Sequence, residues 1–215
     1  EKQNIGNYSS EHCPRGGTWE RLLAISDLAR EGYVIQLDSD TLAIDDLSEI
    51  RRNVEQGIGF TIGTRDGQTL EPMAERSRLA RALPEAERTH VQVVAEADFD
   101  RLEGFEGMQY VRGCSGFAGF PKGSCSRDFI ESVSRQMFDA IGAKWSEWGS
   151  EQVMSNIVVA NTGNSTVLPH PRYSNCIKMR PDSTVFIHFI GDCRFTAGVY
   201  AGHGRRLIQS LLQAA

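Results

Sequence analysis

Tyr33 to Leu42, with the sequence YVIQLDSDTL, joins a strand-like run to a pair of acidic residues. The first half, Tyr33 to Leu37, is short and mostly apolar with β-branched residues at its centre, which predicts a buried β-strand. The run ends abruptly at Asp38-Ser39-Asp40. Carboxylates at the C-terminal end of a strand can converge on one point, where they repel each other unless a cation lies between them. This pattern therefore indicates a site for Mg²⁺ or Mn²⁺, cations that prefer oxygen ligands and keep positions open for substrate phosphates.

A plainer interpretation of the same tripeptide is a polar turn between a strand and a loop. Asp38 or Asp40 would then cap the next segment of backbone through its side chain. Short motifs often match by chance, so the tripeptide alone favours the turn over the metal site. The rest of the chain is needed to choose between the two interpretations.

The composition predicts one sizeable globular domain that spans residues 1–215. Hydrophobic residues make up 40% of the 215 positions and charged residues 24%, a balance that supports an ample core. The formal net charge of −5 argues against a general nucleic-acid binder, which needs a basic surface. No apolar run approaches the roughly 20 residues that span a bilayer, and no secretory signal is visible.

The five cysteines form neither the CxxC pairs of a zinc cluster nor the even count of a disulfide framework. The expectation that follows is a set of reduced thiols in a cytoplasmic protein. A nucleophilic cysteine is the alternative, but no residue beside any of the five cysteines suggests the catalytic base that it would need.

Hydrophobic periodicity predicts alternating helices and strands along the chain. A helix beginning at Thr18 ends at Gly32, and the strand at Tyr33 follows at once, which favours a parallel sheet with crossover helices. Further helices are predicted at about 45–56, 71–83, 85–102, 126–143, 151–160 and 204–215. Further strands are predicted at 57–63, 108–113, 115–120, 166–168 and 184–189.

The stretch 65–107 reads as a helical insertion of the kind that varies between related proteins. Its arginines predict a solvated helix face, with an anionic-acceptor or membrane-surface patch as the alternative. A long insertion here would suit recognition of an acceptor substrate. The arginines of this stretch are Arg76, Arg78, Arg81 and Arg88.

The last helix is amphipathic, which favours docking on the core over peripheral association with a membrane.

Four short pieces of the sequence follow one another in a recognisable order. They are Trp19 to Leu22, Val34 to Leu47, Glu151 to Asn156 and His188 to Gly191. Their residue types and order resemble the metal-dependent glycosyltransferases of GT-A fold. The resemblance is nearest to glycosyltransferase family 8, the glycogenin-like and lipopolysaccharide-galactosyltransferase-like group, and a separate bacterial family of the same fold is also compatible with it.

The resemblance implies an α/β protein with the GT-A fold of nucleotide-diphospho-sugar transferases, a mostly parallel mixed sheet flanked by helices. Only 37 residues precede Asp38, where that fold has about two further βα units. The expectation is therefore a domain shortened at its N-terminus. The implied activity is metal-dependent transfer of a sugar from a nucleotide-diphosphate sugar, most simply a UDP-sugar, to a saccharide or glycoconjugate, with retention of anomeric configuration.

The same resemblance assigns roles to individual residues. The cation, Mn²⁺ or Mg²⁺, would be held by Asp38, Asp40 and His188. Glu151 and Gln152 are the catalytic candidates beside the transferred sugar. The donor would also contact Arg21, Ser39, Gly191 and Arg194, and the sugar or acceptor would contact Ser115 and Gly116.

This sequence departs from the family pattern at several positions near the sugar. Cys114 stands where the family has Asn, and Arg194-Phe195 replaces Lys-Pro. At the helix start, Glu151 stands for the first Asp and Val153 replaces the second. None of these changes affects the three metal ligands.

Each site residue also has a purely structural interpretation. His188 could be a hydrogen-bonded core residue, Glu151 could interact with its own helix dipole, and Arg21 could pair with an acid on its own helix. Taken singly, these interpretations are favoured, but the joint order of the residues around the acidic pair favours the site.

Three other kinds of protein share part of this pattern. A haloacid-dehalogenase-type phosphatase needs Asp-x-Asp-x-Thr, but Leu42 occupies the Thr position. A sugar-phosphate nucleotidyltransferase would explain Gly16-Gly17-Thr18, but no strand precedes that loop. A non-catalytic GT-A-like binding or partner module is the remaining alternative, consistent with a shortened N-terminus.

Overall fold

The computed structural model describes residues 18–214, which form helices packed around mixed β-sheets. The Gly16-Gly17 part of the predicted glycine-rich loop lies outside the described residues. The helices are α1 (Thr18–Leu28), α2 (Ser48–Gln56), α3 (Met73–Arg81), α4 (Val91–Ala97), α5 (Arg127–Ile141), α6 (Ser150–Ala160) and α7 (Val199–Ala214). The strands are β1 (Val34–Leu37), β2 (Thr41–Ala43), β3 (Gly59–Ile62), β4 (Glu71–Pro72), β5 (Gln109–Tyr110), β6 (Cys114–Phe120), β7 (Ser165–Leu168), β8 (Tyr173–Asn175) and β9 (Phe186–His188).

The strands of the described residues form three sheets. The larger sheet has the order β1-β6-β3-β7, a smaller one has the order β2-β9-β8, and β4 pairs with β5. In the larger sheet β1, β3 and β7 run in the same direction, but β6 runs against them and lies between β1 and β3. The α/β class with mixed sheets and flanking helices is confirmed. The expectation of mostly parallel pairing is wrong, because the inserted β6 makes two of the three hydrogen-bonded pairs in this sheet antiparallel.

Local capping explains where several helices begin and end. Ser126 accepts a hydrogen bond from the backbone N–H of Phe129 and so starts α5, as expected of a serine N-cap. Gly57 ends α2 in the left-handed conformation, with φ of 63°, which a residue bearing a side chain rarely adopts.

Hydrophobic side chains cover both faces of the larger sheet. Along β6, Ala118 and Phe120 point to the core shared with α1, α5 and α6, whereas Phe117 points to the opposite face. There Phe117 stacks on Phe186 of β9 with ring centroids 4.2 Å apart, which packs the smaller sheet against the larger one. The alternation along one strand therefore joins the two sheets into a single body.

The prediction that β1 is a buried strand is wrong. Ile35 is 43% exposed and Leu37 58% exposed, and only Gln36 of this strand is buried. The physical reason is position: within residues 18–214, β1 pairs only with β6 and forms an edge of the sheet. An apolar run cannot by itself distinguish a central strand from an edge strand.

The stretch 65–107 packs into the main core. Met73 of α3, Val91 and Ala95 of α4 and Phe99 are buried in the same cluster as α1 and α6. The predicted helix 85–102 is shorter, because His90 caps a new helix at Val91 and single 3₁₀ turns flank it. Arg78 and Arg81 are exposed and pair with Glu75 and Asp100, which supports the solvated face for these two arginines. Arg76 is only 13% exposed and pairs with Glu71, so it does not belong to a solvated face.

The last helix, α7, leaves much of its apolar face exposed. Ile208, Leu211 and Leu212 are 59%, 62% and 75% exposed, so the expectation that they dock on the core is wrong. Tyr200, near the start of the helix, does contact Phe189 beside β9. Within residues 18–214, no helix combines the length and apolar character needed to cross a membrane.

Cys176 and Cys193 form a disulfide, so the prediction of five reduced cysteines is wrong. The bond joins the end of β8 to the 3₁₀ turn Gly191–Arg194 that follows β9. Cysteine count and spacing could not reveal this pair, because contact depends on β8 and β9 lying side by side. The cytoplasmic assignment loses the support that it drew from reduced cysteines.

We expect loss of this disulfide to lower the free energy of unfolding by about 3 kcal/mol, the loop-closure entropy of a link of this length. The two cysteines are 17 residues apart. Urea unfolding of Cys176→Ser/Cys193→Ser beside the oxidised and the reduced wild-type chain measures the difference. The reduced chain should match the double variant. Equal midpoints for all three samples would contradict the expectation.

Candidate metal centre

The acidic pair lies where the chain crosses from the larger sheet to the smaller one. Asp38 follows the last residue of β1, and its backbone N–H donates to the carbonyl of Gly116 on β6, 2.9 Å away. Asp40 precedes β2, and its carbonyl accepts from the N–H of Phe189 at 2.8 Å. Each aspartate is thus fixed to a different sheet, and the tripeptide bridges the junction.

Sheet register brings His188 to the same point. Thr41 of β2 and His188 of β9 are direct partners in the antiparallel ladder, so the imidazole lies beside Asp40 although 148 positions separate them. Its Nε2 is 3.2 Å from Oδ1 of Asp40 and 3.6 Å from Oδ2 of Asp38. The three side chains offer ligand atoms that all lie within 4.8 Å of one another and could hold a metal ion. His188 is buried, but it faces carboxylates, which does not fit an ordinary core histidine.

An arginine stands behind each carboxylate. Arg21 of α1 pairs with Oδ1 of Asp38, and Arg194 pairs with Oδ2 of Asp40 at 3.2 Å. In both residues the other oxygen faces His188. The arginines therefore orient the two carboxylates toward the common point and offset their mutual repulsion.

The back of the His188 ring is closely packed. Its Nδ1 lies 3.1 Å from the thiol of Cys114, which leaves Nε2 as the nitrogen that faces the carboxylates. Gly116 lies against the ring so closely that a Cβ there would overlap it. Desolvation raises the pKa of Cys114 to about 11, so the thiol stays protonated at neutral pH and the Cys114–His188 pair lacks the thiolate of a nucleophilic site.

Glu151, in the first turn of α6, is only 4% exposed and contacts Arg21, with Oε2 3.2 Å from Nη2. Arg21 therefore joins Glu151 to Asp38 rather than pairing with its own helix. Burial raises the pKa of Glu151 to about 7, the nearby charge of Asp38 adds to the increase, and Arg21 opposes it. The carboxyl is thus poised to gain or lose a proton near neutral pH.

The raised pKa of Glu151 makes stability depend on pH. The folded chain binds this proton more tightly than the unfolded chain, whose pKa is near 4.5, so the stabilisation is complete below that pH and is lost as the pH rises through about 7. The free energy of unfolding is measured in urea, without divalent cations, from below pH 4.5 to above pH 7. Over this range we expect it to fall on the order of 3 kcal/mol more for the wild-type protein than for Glu151→Gln. Parallel curves for the two proteins would contradict the shift.

One cavity of about 650 Å³ connects all of these groups, a volume typical of small-molecule sites. Every residue predicted to belong to the site lines it. These residues are Arg21, Asp38, Ser39, Asp40, Ser115, Gly116, Glu151, Gln152, His188, Gly191 and Arg194.

The cavity wall also contains residues from outside the quoted motifs, which sequence reasoning did not assign to the site. Trp148 and Gly149 precede α6, and His90 and Gln92 come from the start of α4. A tryptophan three positions before the catalytic candidate Glu151 is a usable signal in the sequence for this part of the wall. His90 and Gln92 carried none, because their approach depends on how the 65–107 stretch folds back.

No protein-family profile matches the chain, and neither a curated protein nor a solved structure matches it significantly. The assignment of function therefore depends on the geometry of the cavity and on the motifs within it.

Proposed function

We propose that this protein is a metal-dependent glycosyltransferase of GT-A type, which transfers a sugar from a nucleotide-diphosphate sugar to a saccharide or glycoconjugate. The observation that carries the proposal is the convergence of Asp38, Asp40 and His188 in one cavity with the other residues predicted to belong to the site. The α/β class, the mixed sheet and the flanking helices are compatible with that fold.

The three side chains suit Mn²⁺ or Mg²⁺. Two carboxylate oxygens and one imidazole nitrogen are hard or borderline donors, and no thiolate takes part. Neighbouring ligands of an octahedral site with bonds near 2.1 Å are about 3 Å apart. The separations of 3.2 and 3.6 Å from His188 are close to this value. Three protein ligands leave positions open for phosphate oxygens.

A bound cation would supply Lewis-acid stabilisation of the negative charge that grows on the diphosphate leaving group. Arg194 is 41% exposed at the cavity and can donate to a phosphate oxygen while its partner Asp40 binds the cation. Arg21 of α1 is held between Asp38 and Glu151 and can also donate to a phosphate oxygen.

Glu151 and Gln152 would contact the transferred sugar. A carboxyl that titrates near pH 7 can accept a hydrogen bond from a sugar hydroxyl or exchange a proton with it, and the neighbouring amide can donate and accept at once. Peripheral membrane association through the exposed face of α7 stays a prediction, with vesicle flotation as its test.

The proposal is tested by incubating the protein with UDP-, GDP- and CDP-sugars in the presence of Mn²⁺ or Mg²⁺, and in parallel with p-nitrophenyl phosphate. We expect cation-dependent release of nucleoside diphosphate and no phosphomonoester hydrolysis. Phosphomonoester hydrolysis without sugar release would support the phosphatase instead. No turnover and no cation-dependent binding of any nucleotide would support a non-catalytic module.

A further inference from the structure

Trp148 is the most unusual side chain of the cavity wall. Trp148 is 66% exposed, whereas the other two tryptophans of the chain, Trp19 and Trp145, are 3% and 2% exposed. Each buried indole also donates its N–H to a serine, Ser150 and Ser134 respectively. Within residues 18–214, the Trp148 indole has no such partner. A large aromatic ring left in an open cavity is a typical ligand-binding surface.

Gly149, the residue after Trp148, packs against the 65–107 stretch. Gly149 has φ of 105°, and a Cβ at this position would lie 3.1 Å from Cε1 of His90 and 3.2 Å from Val91. The turn before α6 and the start of α4 are therefore in close contact. Gln92 lines the same wall, with its amide N–H₂ directed at the hydroxyl of Tyr110, 3.3 Å away.

This wall differs chemically from the rest of the cavity. Arg21 and Arg194, the two arginines that could bind a phosphate, pair with the carboxylates of the metal site. The wall around Trp148 instead combines an aromatic face with an imidazole and an uncharged amide. That combination suits a sugar ring, whose C–H face packs on an aromatic surface while its hydroxyls bind side-chain amides and imidazoles.

We propose that Trp148, with His90 and Gln92, forms the acceptor subsite, in which a pyranose ring of the acceptor stacks on the indole. The inference rests on the proposed glycosyltransferase function and extends it, because it places the acceptor and identifies what the 65–107 stretch contributes. The subsite lies in the same cavity as the metal ligands, so a sugar held there has access to the donor.

Tryptophan fluorescence can test the subsite directly, because Trp148 is the exposed indole of the three. Methyl glycosides of glucose, galactose and N-acetylglucosamine, and lactose, are titrated to tens of millimolar into the protein with and without Mn²⁺ and UDP. We expect at least one saccharide to change the emission and to protect it from acrylamide quenching. Trp148→Ala should abolish the change, and Trp148→Phe should retain binding with weaker affinity.

Kinetics give a second measurement. With a saccharide acceptor, Trp148→Ala should raise the acceptor KM about tenfold or more, as expected for loss of a stacked ring. Mn²⁺ and UDP together should raise the melting temperature of Trp148→Ala as they do that of the wild-type protein, which is the Mn²⁺–UDP thermal shift. Leu28→Ala is the matched control, since Leu28 is a 60% exposed apolar residue outside the cavity, and it should leave the KM at the wild-type value.

Two results would overturn the subsite. One is the absence of any saccharide effect on the emission of the wild-type protein. The other is loss of the Mn²⁺–UDP thermal shift in Trp148→Ala, which would place the indole on the nucleotide. Failure of the proposed function looks different: the wild-type protein would then show no Mn²⁺–UDP shift, whatever the saccharides do to its fluorescence.

Discussion

Replacing Asp40 with alanine should lower the rate of sugar-nucleotide turnover about 10³-fold, because metal stabilisation of the leaving group amounts to several kcal/mol. One oxygen of Asp40 faces His188 and would be the metal ligand, and the other pairs with Arg194. The substitution therefore removes a metal ligand and frees an arginine at the same point. The measurement is the initial rate of UDP release over a range of Mn²⁺ concentrations.

The matched control is Asp192→Ala. Asp192 is an exposed aspartate in the turn Gly191–Arg194, close to the site in sequence but outside the cavity. We expect its rate to stay within about twofold of wild type, since surface charges contribute little. Equal losses in the two variants would point to general surface charge, and an Asp40→Ala protein with wild-type turnover would refute the metal assignment.

Gly116→Ala should damage the centre without removing any ligand. A Cβ at Gly116 would overlap the ring of His188, so the imidazole must move or the strand must shift. The ring also contacts Cys114, whose sulfur lies 3.1 Å from Nδ1. We expect a loss of about 1–3 kcal/mol in unfolding free energy, typical of overpacking, together with at least tenfold weaker Mn²⁺ binding. Urea unfolding and calorimetric titration with Mn²⁺ and UDP measure the two effects.

Gly107→Ala provides the comparison for Gly116→Ala, because nothing lies within 4 Å of a Cβ at Gly107 and its φ is not positive. This variant should be near wild type in both measurements. If Gly116→Ala binds Mn²⁺ as wild type does, the close packing on His188 does not position the ligand. The sequence resemblance predicts that Gly116 contacts the sugar. In the structure Gly116 also packs against the ring of His188.

Much of the site could be anticipated because its chemistry is local. Asp38 and Asp40 are adjacent to a strand-like run, and Glu151 opens a helix whose start is evident from periodicity. His188 ends a short apolar strand, and the ladder that pairs it with Thr41 brings it to the acidic pair. Motif order therefore carries real information when each residue stands at the end of an element.

Other features depend on contacts that no local pattern specifies. The antiparallel insertion of β6 makes β1 an edge strand and exposes Ile35 and Leu37. The Cys176–Cys193 bond needs β8 beside β9, and the wall around Trp148 needs α4 to pack against the start of α6. All of these features depend on contacts between distant parts of the chain, which composition and periodicity do not predict.

Pulsed electron paramagnetic resonance of Mn²⁺ bound to the protein with UDP tests the central claim most directly. Because the histidine and both aspartates face one point, we expect one Mn²⁺ per chain with nitrogen coupling from a single imidazole. The coupling should disappear in His188→Gln, and Mn²⁺ binding should weaken strongly in Asp38→Asn and Asp40→Asn. Mn²⁺ bound with unchanged coupling and affinity in all three variants would show that the cation binds elsewhere.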